Sequence, residues 1–142
     1  NKKVIILCDK FKIENSPKCV EFKENVYGDE YKMYLAECKA AIIPLKKEGI
    51  SAGQLAIIQA MMLKKPVIVT GTETTLEYVK DNWNAIVVAN KEGEIVNAVK
   101  KLDDQVFYHK LSINARKTFE ENFTGKRLVY EVGNIINSLR EK

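Results

Sequence analysis

Short apolar runs with little polar alternation recur along this chain, at residues 4–8, 20–22, 41–45, 67–70 and 85–88. β-Branched residues dominate most of them, and a strand without a polar face is one covered on both sides, as in a parallel sheet. From residue 29 onward the stretches between these runs change to helical spacing: residues 29–39, 53–63 and, more briefly, 74–80, with Pro66 closing the approach to the fourth run. After Ala89 the apolar runs stop. Residues 92–102, 106–121 and 127–140 predict three helices, broken at Asp103-Asp104 and at Thr124-Gly125. The order is strand, loop, strand, then alternating helix and strand. That order predicts an α/β fold with three α/β/α layers, a mainly parallel sheet of about five strands and helices at the C-terminal end.

Such an open, doubly wound, Rossmann-like sheet takes its ligands beyond the carboxyl ends of the strands, where the βα loops and helix starts gather. Three loops are thereby singled out: the one after the run ending at Phe22, residues 46–53, and residues 71–75. The second is the most informative. In Glu48-Gly-Ile-Ser-Ala-Gly-Gln a glycine-bearing loop opens an apolar helix, and the first amides of a helix have no intrahelical acceptor while the macrodipole favours an anion there. Gly53 allows close approach of a ligand to the main chain, with the amides of Ala52, Gly53 and Gln54 as donors, and Ser51 can cap the helix or donate its hydroxyl. Gln59 is the polar exception between Ile58 and Ala60. It lies eight positions beyond Ser51, roughly 12 Å along the axis and about 80° around it. The vicinal hydroxyls of a ligand would satisfy both ends of its carboxamide; a neighbouring loop carbonyl would serve equally well.

Composition narrows the picture. A chain of 142 residues that is 46% hydrophobic is sized for a single domain spanning residues 1–142. The net charge of +4 comes from 23 Lys+Arg against 19 Asp+Glu, interspersed rather than clustered, so no nucleic-acid surface is expected. Cys8, Cys19 and Cys38 are odd in number and lack metal-ligand spacing. They are expected to be reduced and buried in a cytoplasmic protein. No apolar run is long enough to cross a bilayer, so membrane association is expected only through segments outside this sequence.

The order and spacing of several segments carry a family resemblance: Ala41-Ile-Ile-Pro-Leu45, Ser51-Ala-Gly-Gln-Leu-Ala-Ile-Ile-Gln-Ala-Met61, Lys65-Pro-Val-Ile-Val-Thr70, Leu76-Glu-Tyr-Val79 followed by Asn84, and Asn114-Ala-Arg-Lys117 with Asn122 and Phe123. From Tyr31 to about Phe123 the chain resembles the C-terminal, donor-binding half of a GT-B glycosyltransferase of the group 1 (family 4) type. The resemblance implies binding of a nucleotide-sugar between two Rossmann-like domains and transfer of a hexosyl group to a glycan, lipid or other acceptor. It also implies retained anomeric configuration, no cofactor and no bound metal. Glycan biosynthesis in the cytoplasm, or at the cytoplasmic face of a membrane, is the expected setting.

The family pattern places two glutamates eight apart in this helix and its leading loop, the first for the donor sugar or phosphate, the second for the ribose. Here Ser51 and Gln59 occupy those positions, and Glu48 lies three residues early. Nucleotide binding is thus expected, while no catalytic residue is assigned. The family's domain also begins with a further strand and helix that supply a basic pair, and an acceptor-binding N-terminal domain precedes it. The chain is therefore expected to be a fragment or a short paralogue, inactive alone.

Each remaining candidate has a plain structural alternative. Lys23, Glu24 and Asn25 are placed by the resemblance near the base, or form a solvated turn. Thr72, Glu73, Thr74 and Thr75 can donate to the distal phosphate or sugar, or Thr72 or Thr74 is an N-cap and Glu73 a first-turn acid. Lys46 and Lys47 precede the phosphate loop as stand-ins for the basic pair or as surface charge; His109 is expected at the surface and Trp83 as a turn anchor. A non-catalytic Rossmann-like nucleotide-binding or interaction module stands as the alternative function. A sugar-nucleotide epimerase is disfavoured by the lack of suitable acid/base residues.

Overall fold

Among the described residues, five strands and six helices form largely where the apolar pattern places them, and the strands pair in parallel within each sheet. The computed structural model describes residues 2–8, 16–46, 52–89, 91 and 93–140. The chain divides into two compact units, Asn1–Tyr34 and Leu35–Lys142, and the division falls within a helix, α1 (Gly28–Glu37). The single five-stranded sheet expected from the pattern is present as two hydrogen-bonded groups, a pair and a triplet, one in each unit.

In the first unit β1 (Val4–Leu7) runs parallel to β2 (Val20–Lys23), in the register Val4↔Val20 to Leu7↔Lys23. Amide bonds from Val4 to the Cys19 carbonyl (2.8 Å) and from Cys8 to the Lys23 carbonyl (3.2 Å) extend the ladder at both ends. On β2 the Glu21 carboxylate is bracketed by Lys3 at 2.5 Å and Lys23 at 2.6 Å. Hydrogen bonds from Lys23 and then Lys3 lower the Glu21 pKa to about 2.

In the second unit the sheet order is β3-β4-β5, built from Ala41–Ile43, Val67–Thr70 and Ile86–Val88. β3 stops two residues short of the predicted end because Pro44 has no amide to continue the ladder. β4 is buried along its whole length, which is why its sequence has no polar alternation. Helix α2 (Gln54–Met62) packs on β3, β4 and α5 (Gln105–Asn122), and α4 (Glu94–Lys101) packs on β4 and β5. Ile68, Ile86, Val88, Ala98, Leu102 and Leu111 form one buried apolar cluster. Ile57, Ala60 and Met61 supply the buried side of α2, each fully inaccessible.

A short α3 (Glu73–Leu76) follows β4, and α6 (Gly125–Arg140) follows α5. α6 has no buried residue. Buried Asn84 ties the approach to β5 onto α5: its carboxamide accepts from the Lys80 amide at 2.7 Å and donates to Thr118 Oγ1 at 3.1 Å. Asn114 donates to the Trp83 carbonyl at 2.9 Å, which makes Trp83 part of a braced turn. No helix among the described residues is long and apolar enough to cross a membrane.

Candidate functional site

Two helices start just beyond the carboxyl ends of β3 and β4, where ligands of open α/β sheets bind. α2 begins at Gly53, whose φ of 82° and ψ of −12° are left-handed, and among the described residues no side chain is seen to cap it. Glycine is required there twice over. An L residue is strained at that φ, and a Cβ would lie 3.0 Å from Ile43 Cγ2. The first intrahelical bond joins the Ile57 amide to the Gly53 carbonyl at 2.9 Å, so the amides before it have no acceptor within the helix.

The other helix starts are neutralised from within. α1 carries Asp29 and Glu30 in its first turn. At α4, which also begins on a left-handed glycine, Glu94 stands in the first turn and accepts from the Ala89 amide at 2.6 Å. Asp104 accepts from the Val106 and Phe107 amides at the start of α5, and Thr124 Oγ1 accepts from the Arg127 amide in α6. Among the described residues, only α2 begins with neither a side-chain cap nor an acid. A helix start without an acid of its own favours an anion.

The far end of α2 is held firmly. The Arg116 guanidinium of α5 donates to the Met62 carbonyl and also bonds Glu120 at 2.6 Å, placing a cation where the helix dipole favours one. Along α2, Gln59 is half-buried, and its carboxamide makes no hydrogen bond among the described residues. The loop-carbonyl alternative thus has no partner among those residues. Ala52, Gly53 and Gln54 are half-buried at the helix start.

The start of α3 is closed. Thr72 is the N-cap, and its Oγ1 accepts from the Thr75 amide at 3.2 Å while Thr75 Oγ1 accepts from the Thr72 amide at 2.9 Å. The Thr75 hydroxyl also reaches the Thr70 carbonyl at 2.9 Å. This reciprocal pair consumes the donors of Thr72, the structural alternative foreseen for it. Glu73 is exposed in the first turn, and Thr74 is half-buried with no side-chain hydrogen bond among the described residues.

The sequence matches the family described as Glycosyl transferases group 1 over residues 6–105, well over half of the chain. It belongs to that family. Among solved structures it resembles Anabaena HepE in complex with UDP at 16% identity and a TM-score of 0.71, covering 84% of this chain and 32% of HepE. It also resembles a glycosyltransferase from Rickettsia africae ESF-5 at 16% identity and a TM-score of 0.75, covering 100% of this chain and 41% of that one. The C-terminal domain of the group 1 protein LpcC from Francisella tularensis is similar at 19% identity and a TM-score of 0.63, covering 76% and 55% of the two chains. No curated protein matches the sequence. The chain spans about a third of the length of HepE and of sucrose-phosphate synthase from Thermosynechococcus elongatus, another structure it resembles. The fold is the mixed α/β, Rossmann-like one of GT-B glycosyltransferases.

In this group 1 glycosyltransferase domain the first unit holds two further candidates, Lys23 and Glu24. Lys23 ends β2 and is paired with Glu21; Glu24 is exposed, and Asn25 takes a left-handed φ of 56°. A cleft of about 160 Å³ opens at the carboxyl ends of β1 and β2, lined by Leu7, Cys8, Lys23, Val26, Tyr27 and Tyr31. A wider hollow among Lys2, Lys3, Lys18 and Glu21 lies at the opposite strand ends, away from where such sheets take ligands. Ser51, Lys47 and Glu48 lie outside the described residues.

Other expectations meet the structure in different ways. His109 is exposed, edge-on to the Tyr108 ring. None of the three cysteines is in a disulfide, but only Cys8 and Cys38 are half-buried; Cys19, expected to be buried, is exposed in the turn before β2. Burial raises the Cys38 thiol pKa. No group of three or more His, Cys, Asp or Glu among the described residues is placed to hold a metal ion. Thr70, the last residue of β4, carries no local signal in the sequence, because its partner Leu45 lies 25 residues away; Thr72 and Thr75 have the spacing of a capping box.

Proposed function

We propose that this chain is the donor-binding part of a group 1 glycosyltransferase and takes a nucleotide-sugar at the amino end of α2. The diphosphate lies against Gly53 and the amides of Ala52 to Gln54, and Gln59 bonds the ribose hydroxyls. The observation that carries the reading is the acid-free, uncapped start of α2 in a chain of this family. Gln59 adds to it, as a half-buried carboxamide with no partner among the described residues. HepE was solved with UDP and with UDP-glucose, which supports a nucleoside diphosphate as the ligand class.

Ser51, Glu73 and Thr74 are the candidates for the distal phosphate and sugar, Thr72 supporting them as cap. Lys23 and Glu24 are candidates for the base. The acceptor site belongs to polypeptide outside this sequence, so the chain alone does not transfer sugar. In the complete enzyme the transfer of a hexosyl group proceeds with retention and without a metal, on the cytoplasmic side, in glycan biosynthesis. Calorimetry with UDP, GDP and ADP tests the reading. At least one should bind, and Gln59→Leu should weaken it by about 1–3 kcal/mol, the cost of an unmade hydrogen bond at a buried polar group. Binding of none would refute the proposal. One observation favours a second reading, a non-catalytic module: Ser51 and Gln59 stand where the family pattern has glutamates.

A further inference from the structure

Thr70 ends β4 at 7% exposure, and a hydroxyl so placed needs partners inside the protein. Its Oγ1 accepts from the Leu45 amide at 3.1 Å, across 25 residues of sequence. Leu45 lies just beyond β3 and Pro44. Its side chain flanks the start of α2, since a Cβ on Gly53 would lie 3.7 Å from both Leu45 δ-carbons. On the other side the Thr70 carbonyl accepts from Thr75, which is wholly buried. A continuous set of contacts therefore runs from Thr75 through Thr70 and Leu45 to Gly53. It joins the corner that leads into α3 to the open end of α2.

We propose that the Thr70 hydroxyl is a positioning residue for donor binding. By fixing the course of the chain as it leaves β3, it holds the amino end of α2 at the separation from β4 that a diphosphate requires. This rests on the reading that α2 takes a nucleoside diphosphate. Thr70 acts through Leu45 and Gly53 rather than by touching the ligand. Valine at this position keeps the shape and removes the acceptor, so the Leu45 amide loses its partner and the loop relaxes. Serine keeps the acceptor.

Calorimetry on the wild-type chain, Thr70→Val and Thr70→Ser tests this, using whichever of UDP, GDP or ADP the wild type binds and the matching nucleoside monophosphate. Thr70→Val should lose about tenfold in diphosphate affinity, and Thr70→Ser less than about threefold. The monophosphate should be affected less than the diphosphate, which a general loss of structure would not produce. Hydrogen exchange at the Leu45 amide should accelerate in Thr70→Val and not in Thr70→Ser. Thr70→Ala replaces Thr70→Val if the latter shows no cooperative melting. Diphosphate affinity unchanged in Thr70→Val, an equal loss in Thr70→Ser, or a parallel fall for both nucleotides would overturn the positioning role while nucleotide binding stands. A wild-type chain that binds no diphosphate would overturn both.

Discussion

α2 and α3 both begin where the chain leaves a strand of the same parallel sheet, yet their starts are built in opposite ways. At α3, Thr72 and Thr75 satisfy each other's amides, Glu73 supplies negative charge, and Thr75 is inaccessible to solvent. At α2, a left-handed glycine opens the helix with no side-chain cap and no acid in the first turn. α4 sharpens the contrast, because it too starts on a left-handed glycine but places Glu94 in its first turn. A glycine start is therefore not enough to mark an anion site. What separates α2 is that, among the described residues, its start has neither a side-chain cap nor an acid in the first turn.

The largest expected effect comes from closing the geometry of the open start. Gly53→Ala adds strain at the left-handed φ, about 1–2 kcal/mol, and crowds Ile43 Cγ2, for a loss of about 2–3 kcal/mol in urea unfolding. Gly93 has the same φ of 82°, but a Cβ added there would meet nothing within 4 Å, so Gly93→Ala should cost only the backbone part, about 1–2 kcal/mol. Equal costs would mean that Gly53 answers only to its backbone. A somewhat smaller effect is expected from breaking the closed start: Thr75→Val leaves the buried Thr72 amide without its acceptor and should cost about 1–3 kcal/mol in the same measurement. An unchanged midpoint would show that the reciprocal threonine pair contributes little.

The smallest effect on stability reverses the contrast itself. Gln54→Asp gives α2 a first-turn acid such as α1, α3 and α4 possess, and should stabilise the free chain by about 0.3–1 kcal/mol. The same change should weaken nucleoside diphosphate binding in calorimetry, because the new carboxylate competes for the dipole and repels the phosphates. Stabilisation without weaker binding would place the diphosphate elsewhere.

Much of this was legible in the sequence. β4 is bounded correctly at Val67–Thr70, and α2 and α5 each fall within one residue of their predicted limits at either end, because Pro66, Gly53 and Asp103-Asp104 mark where they begin. α3 was read too long: Thr72 caps it early and Asn84 takes over at Lys80, both through side-chain bonds that a periodicity does not register. The position of Gly53 at the head of α2 was readable from its spacing. That Thr72 is used up as a cap was one of two readings, and the role of Thr70 was missed. Its partner Leu45 is brought to it only when β3 and β4 pair in the register Ala41↔Val67.

By itself the sequence determined which segments become strands and helices and that the strands run parallel, because backbone propensity and one- or two-sided burial are written in local patterns. Tertiary structure decided which helix start stays open, which threonine is consumed as a cap, and how the five strands divide into a pair and a triplet. Those outcomes depend on hydrogen bonds and close contacts between residues far apart in the chain, such as Leu45 with Thr70 and Arg116 with Met62, which no local spacing encodes.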